Sequence, residues 1–347
     1  MRQFSNGKSA PDSLPPEAPT FSWPHKLGPW LLGLLVLSGV IVAVTSFSEI
    51  KGFVQLLHQA DPVWLVAGII LQIATYFSTA AIWLLTLRKG GTRYSILTLV
   101  PLGVAKLFSE QAMPSGGMSG TAFFVADLNR RGVPAQLCMA ALLISLVSYY
   151  TSYLLAAILS LALLRFYHAT SPWIVIVTAL FCAVAVVIPV GALWLHYWSQ
   201  RSLPSLLARI PGLNRLLAAI GGAPTYLLRD ATLFFQTTLF QASIFLLDAA
   251  TLWAMLRAIG QHVSFLLAFP SFIVASMVAA LGLIPLGLGT FEATCIAMLR
   301  ALGVPLEAAL TATLLLRGLT LWAPMPPGLW LARRELSPKA QAGAECK

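Results

Sequence analysis

Charge is scarce in this chain. Only 10% of its 347 residues are Asp, Glu, Lys or Arg, where a soluble domain carries about a quarter. A water-soluble globule of this size is excluded. Cysteine is scarcer: Cys138, Cys182 and Cys295 lie in apolar segments and Cys346 near the end. None of their spacings suits a disulfide framework or a zinc site. The five histidines (25, 58, 168, 196 and 262) fall at the ends of apolar runs, where an amphipathic ring is an interfacial side chain rather than a metal ligand. No phosphate-binding loop or dinucleotide fingerprint occurs, so no cofactor and no metal are expected. The short alternating segments of an outer-membrane barrel are also missing.

What is abundant is apolar. The chain is 58% hydrophobic with a mean hydropathy of +0.81. Runs at 29–47, 62–87, 95–113, 135–164, 172–198, 231–256, 265–284 and 306–332 are long enough to reach across a bilayer core of about 30 Å. The expected fold class is an all-α polytopic membrane protein. The net charge of +10 is spread over the ends of these runs and suits an anionic lipid surface. No nucleic-acid module is visible and no nucleic-acid partner is expected.

The sequence repeats itself. Shifted by 171 residues, Pro114, Gly116, Ala122, Ala126, Leu128, Gly132, Val133, Pro134, Ala141 and Leu143 meet Pro285, Gly287, Ala293, Ala297, Leu299, Gly303, Val304, Pro305, Ala312 and Leu314 without a gap. Each copy reads apolar helix, Pro-x-Gly elbow, helical stretch, Gly-Val-Pro, then a long apolar helix. Topology says what the unit is. Eight plain spans would divide Lys and Arg 12 inside and 8 outside, and would turn the basic stretch 201–229 outward. If each elbow instead returns the chain to the side it came from, the division becomes 16 to 4, as the positive-inside bias demands. Six spans and two opposed re-entrant hairpins, 95–130 and 265–302, follow as an inverted repeat with both termini cytoplasmic. The expected organisation is a disordered cytoplasmic tail at 1–28, one transmembrane domain at 29–332, and a cytoplasmic tail at 333–347. The halves, about 29–198 and 226–332, are joined by an interfacial basic segment, 199–225, that anchors to anionic lipid.

Broken backbone at membrane depth is tolerable only inside protein or beside a watery cavity. Pro114, Gly116, Gly117 and Gly120, with Pro285, Gly287 and Gly289, stand at corresponding places in the two halves. One such motif reads as tight helix packing; two at matched positions point to a transport site. The "GMSG" at 117–120 also fits a rhomboid-type serine protease. No later span offers a central histidine as base, however, and the counterpart of Ser119 is Thr290. No enzyme activity is expected. The remaining candidates are charges in apolar surroundings. Lys106 and Glu110, one helical turn apart, are either an internal packing pair or functional. Asp248 reads as a hydrogen bond to a neighbouring helix. Glu292 and Arg317, opposite in sign, either neutralise one another or present a cation to a lipid phosphate and a carboxylate to an amine or a proton.

At "IPLGLGTFEATCIAMLRALGVPLEAALTATLLLRGLTLWAPMPPG" the chain resembles the lysylphosphatidylglycerol synthase transmembrane family, also called flippase-like. Pro285, Gly287, Gly289, Glu292, Gly303, Arg317 and Pro324 match the family's pattern, and the resemblance covers most of 30–332. It implies a bacterial inner-membrane protein that moves a phospholipid or a polyprenyl- or hopanoid-type lipid between leaflets, with membrane lipids of anionic headgroup as partners. A homo-oligomer or a lipid-synthesis enzyme is a further possible partner. The alternative is a non-transporting subunit that scaffolds a lipid-modifying enzyme. The chain ends about fifteen residues after its last predicted span, so the resemblance is to a stand-alone member without the family's soluble aminoacyl-transferase domain.

Overall fold

The computed structural model describes residues 60–112, 118–168, 170–199, 221–281 and 289–336, and these are helical with no strand among them. We label the helices α1 (Pro62–Lys89), α2 (Ile96–Ala112), α3 (Met118–Arg130), α4 (Ala135–Phe166), α5 (Pro172–Ser199), α6 (Ala231–Ala258), α7 (Phe265–Leu281), α8 (Thr290–Ala301), α9 (Leu306–Arg317) and α10 (Met325–Leu336). One helical turn, Thr225–Leu228, precedes α6, and a π-turn, Gly318–Trp322, joins α9 towards α10. Five stretches are long and apolar enough to cross a membrane: α1, α4, α5, α6, and the run Leu306–Leu331. Large apolar side chains point outward along them, Val187 67% and Phe235 68% exposed, which only lipid makes comfortable. The protein is an all-α, multi-pass membrane protein. The expected first span, 29–47, the tails at 1–28 and 337–347 and most of the basic segment (200–220) lie outside the described residues.

Local chemistry sets the helix ends. Asp61 caps α1, its carboxylate accepting from the Val63 N–H at 2.9 Å. Asp230 caps α6, accepting from the Leu233 N–H at 2.9 Å. At the other end of the long final run, Pro324 has no N–H to give and its ring crowds the carbonyl four residues back. The helix widens there into the π-turn, closed by the Ala323 N–H on the Gly318 carbonyl at 2.8 Å.

The repeat is longer in the structure than in the sequence. α1 and α6 both have 28 residues, start 169 positions apart, and carry their capping aspartates at the same place. α2 and α7 both have 17 residues, with Pro101 and Pro270 inside them at that same separation. Ser95 and Ser264, also matched, open these helices by accepting from the Leu97 and Leu266 N–H groups, each at 3.3 Å. The register changes to 171 only across the elbows. After them, Gly132 (φ +83°) and Gly303 (φ +88°) end α3 and α8 identically. The following valines, Val133 and Val304, donate back to the carbonyls of Leu128 and Leu299 at 3.0 Å. This is the left-handed helix stop that glycine makes without strain.

Equivalent helices run in opposite directions. The Asp61 N–H at the start of α1 donates to the Ala258 carbonyl at the end of α6, 2.8 Å. At the opposite end Lys89 meets Asp230 at 2.6 Å. α1 and α6 are thus antiparallel along their whole length, and the two halves are inverted. α2 packs on α3 and α7 on α8, so each short pair folds back on itself. Between helices in lipid, apolar burial contributes little and polar contacts serve as glue. Ser148 and Thr237 share a hydrogen bond of 2.7 Å, and Ser152 donates to the Thr238 carbonyl at 2.8 Å, joining α4 to α6.

Candidate functional site

Arg317 is the last residue of α9, immediately before the π-turn. Its Nε donates to Glu292 Oε1 at 2.6 Å, and its guanidinium lies 4.2 Å from the centre of the Phe291 ring. Glu292 stands in the first turn of α8, where a carboxylate suits the helix dipole. Its second oxygen accepts from the Gly289 N–H at 2.7 Å. Gly289 has φ +83°, a conformation closed to most side chains, and that turn is what delivers its N–H to Glu292. The two charges named from the sequence are therefore one ion pair, 14% and 19% exposed, locked to the end of the second elbow.

Arg317, but not Glu292, lines a cavity of about 310 Å³. Arg317 and Phe291 form one wall, Tyr149 and Tyr153 of α4 another, and Gln241 and Asp248 of α6 a third. The Tyr153 side chain is 1% exposed, and its hydroxyl stands beside Ser276 of α7 in the wall of this space. Depth follows from helix geometry. Asp248 lies ten residues before the end of α6, about 15 Å along the axis. Arg317 lies eleven residues into its own run, about 17 Å along. The ends they are measured from face the same side, because α7 and α8 fold back between them. Both charges therefore stand at similar depth, well inside a bilayer core of about 30 Å.

Asp248 does make the interhelical bond expected of it, accepting from Gln72 Nε2 of α1 at 2.8 Å. The structure adds that it faces the same cavity as Arg317, which its place in an apolar run did not reveal. Tyr149, Tyr153 and Gln241 gave no sequence signal either, since an isolated tyrosine or amide in a span reads as packing. Lys106 sits on α2 in the other half and does not line this cavity. Of Glu110 only the backbone is described, also on α2. Gly120 is buried on α3. Pro114, Gly116, Gly117, Pro285 and Gly287 lie outside the described residues. Among the described residues no group of three His, Cys, Asp or Glu side chains is placed to hold a metal.

The arrangement can bind a polar, charged group. A guanidinium held by a carboxylate and an aromatic face, with hydroxyls and a second carboxylate across a small space, presents donors and charge to a polar headgroup. No curated protein matches the chain. A family model described as the lysylphosphatidylglycerol synthase TM region matches residues 30–328, a stretch that contains every helix of the cavity. The chain belongs to the lysylphosphatidylglycerol synthase transmembrane family.

Proposed function

We propose that this chain moves a phosphate-bearing lipid between the leaflets of a bacterial inner membrane. One observation carries the reading: a cavity well inside the bilayer core, lined by Arg317 and Asp248, with Glu292 bonded to Arg317, among inverted halves. Discontinuous helices around a polar space at that depth are the architecture of secondary transporters. Family membership supports a membrane lipid as the cargo. In this reading α2–α3 and α7–α8 are re-entrant hairpins entering from opposite sides, the termini are cytoplasmic, and the headgroup enters the cavity while the acyl chains stay in the bilayer. Arg317 holds the phosphate. The work is binding and movement; no bond is made or broken and no cofactor takes part. Energy comes from the proton gradient or from the lipid gradient itself.

The test is translocation of a fluorescent phosphatidylglycerol in proteoliposomes that contain only this protein, read by quenching of the outer leaflet. Faster exchange than in empty vesicles, lost in Arg317→Gln, supports transport. A folded, correctly inserted protein that leaves exchange at the empty-vesicle rate would make it a scaffold for a lipid-modifying enzyme.

A further inference from the structure

Asp248 is the one charged group of this cavity without a charged partner among the described residues. It faces Gln72, Thr75 and Tyr76 of α1, Tyr149 and Tyr153 of α4, and Arg317 of α9 across the space. α7 contributes Phe272, Ser276 and Ala279 to the wall and no titratable group. Arg317 already has Glu292 at 2.6 Å. A carboxylate well inside the bilayer core is costly without a cation or a proton.

The inverted repeat supplies an internal control. The counterpart of Gln72 is Gln241, and the counterpart of Asp248 is Thr79. Thr79 donates to the Thr75 carbonyl of its own helix at 3.0 Å, and the α1–α6 contact holds on that side of the pseudo-twofold axis without a carboxylate. Packing of the two helices therefore does not require an acid at 248. Arg317 and Glu292 are equally one-sided, since their counterparts are Leu146 and Thr121. The two charges that line the cavity, and the Glu292 bonded to one of them, all come from the second half.

We propose that Asp248 is the proton-carrying group of this cavity, and that its protonation and the binding of an anionic headgroup at Arg317 favour one another. The reason is charge balance. With Asp248 ionised, Arg317 faces a carboxylate across the cavity as well as the Glu292 bonded to it, and the excess negative charge repels a phosphate at short range and low dielectric. With Asp248 protonated, the carboxylate of Glu292 alone balances Arg317, and a phosphate joins the guanidinium without that opposition. Linkage makes the effect reciprocal: a bound anionic headgroup draws a proton onto Asp248, and the two move together. This inference rests on the lipid-binding reading of the cavity, but not on movement of the lipid.

The experiment measures affinity of the purified protein in detergent for short-chain phosphatidylglycerol, with phosphatidylcholine as the zwitterionic control, from about pH 5 to pH 8. Wild-type affinity for phosphatidylglycerol is expected to weaken with rising pH, approaching tenfold per pH unit once Asp248 ionises, with a much shallower slope for phosphatidylcholine. Asp248→Asn is expected to bind phosphatidylglycerol tightly with no such slope. Asp248→Glu, which keeps a titratable group, is expected to keep the slope with a displaced midpoint. A flat wild-type profile overturns the proposal, as does a wild-type slope in Asp248→Asn. If Asp248→Asn does not fold, an unmoved midpoint in Asp248→Glu overturns it. Tightening by sodium at fixed pH in place of protons overturns it too. A pH-linked affinity together with no exchange in proteoliposomes would remove the transport reading and leave the linkage standing.

Discussion

Arg317 and Glu292 hold each other, yet the geometry around them separates two roles. Glu292 bonds Arg317 with one oxygen and the Gly289 N–H with the other, so its loss frees both a guanidinium and a helix terminus. Removing one member of such a pair costs up to about 3–5 kcal/mol, and removing both restores much of that. Glu292→Gln and Arg317→Gln should therefore each lower thermal stability in detergent, while the double mutant regains part of it. Lipid exchange should be absent in all three, because no guanidinium remains available in its aligned position. Recovery of exchange in the double mutant would reduce the pair to packing. Gly289 gives a test of the turn itself. A Cβ there would meet nothing within 4 Å, so Gly289→Ala should cost only the backbone strain of φ +83°, about 1–3 kcal/mol, read as a lowered Tm with the ion pair's chemistry unchanged.

At the scale of elements, the antiparallel α1–α6 pair is clipped at both ends by groups that also cap helices. Asp230 accepts from the Lys89 ammonium and from the Leu233 N–H, and these hold its carboxyl below the ordinary value of 3.8, the lysine first. A carboxyl depressed on folding stabilises the fold above its unfolded pKa, and that contribution is lost as pH falls through its folded pKa. Asp230→Asn keeps an N-cap acceptor but not the charge. Its Tm should lie slightly below wild type near neutrality, and the gap should close at acid pH, below the range where carboxylates ionise. A gap that persists there would assign the effect to the cap alone. The matched stops at Gly132 and Gly303 show the same economy: one local hydrogen-bond pattern, used twice, returns each hairpin to the start of the next long helix.

For the whole molecule, the decisive property is which end of each helix faces which side. Asp61 and Ala258 touch, and Lys89 and Asp230 touch at the other end. Single cysteines at 88 and 229 should therefore react with a membrane-impermeant thiol reagent from one side, and those at 61, 165 and 257 from the other. The charge bias predicts that the first side is cytoplasmic. Labelling of 88 and 229 from outside intact cells would reverse the orientation, whereas labelling of 88 and 257 from one side would break the antiparallel arrangement.

Hydropathy, which is local and additive, sufficed for the membrane class, the helical makeup and the bounds of most apolar helices. The run at 95–113 became α2 (96–112) and that at 135–164 became α4 (135–166). The repeat was legible only around the elbows, where Pro and Gly are demanded by the backbone. Upstream, α1 and α6 share their caps, their length and only scattered residues such as Gln72 and Gln241, because lipid-facing positions accept any apolar side chain, and a two-residue shift in register hid the rest. Glu292 and Arg317 were legible as costly charges, since charge at membrane depth is visible in any sequence. Their pairing was not, because the two stand 25 positions apart and the chain folds back before they meet. Asp248 and the tyrosines of α4 were less legible still. Their meeting with Arg317 depends on where α4, α6 and α9 come together, and that is decided by packing between segments far apart in the chain, which only the tertiary structure specifies.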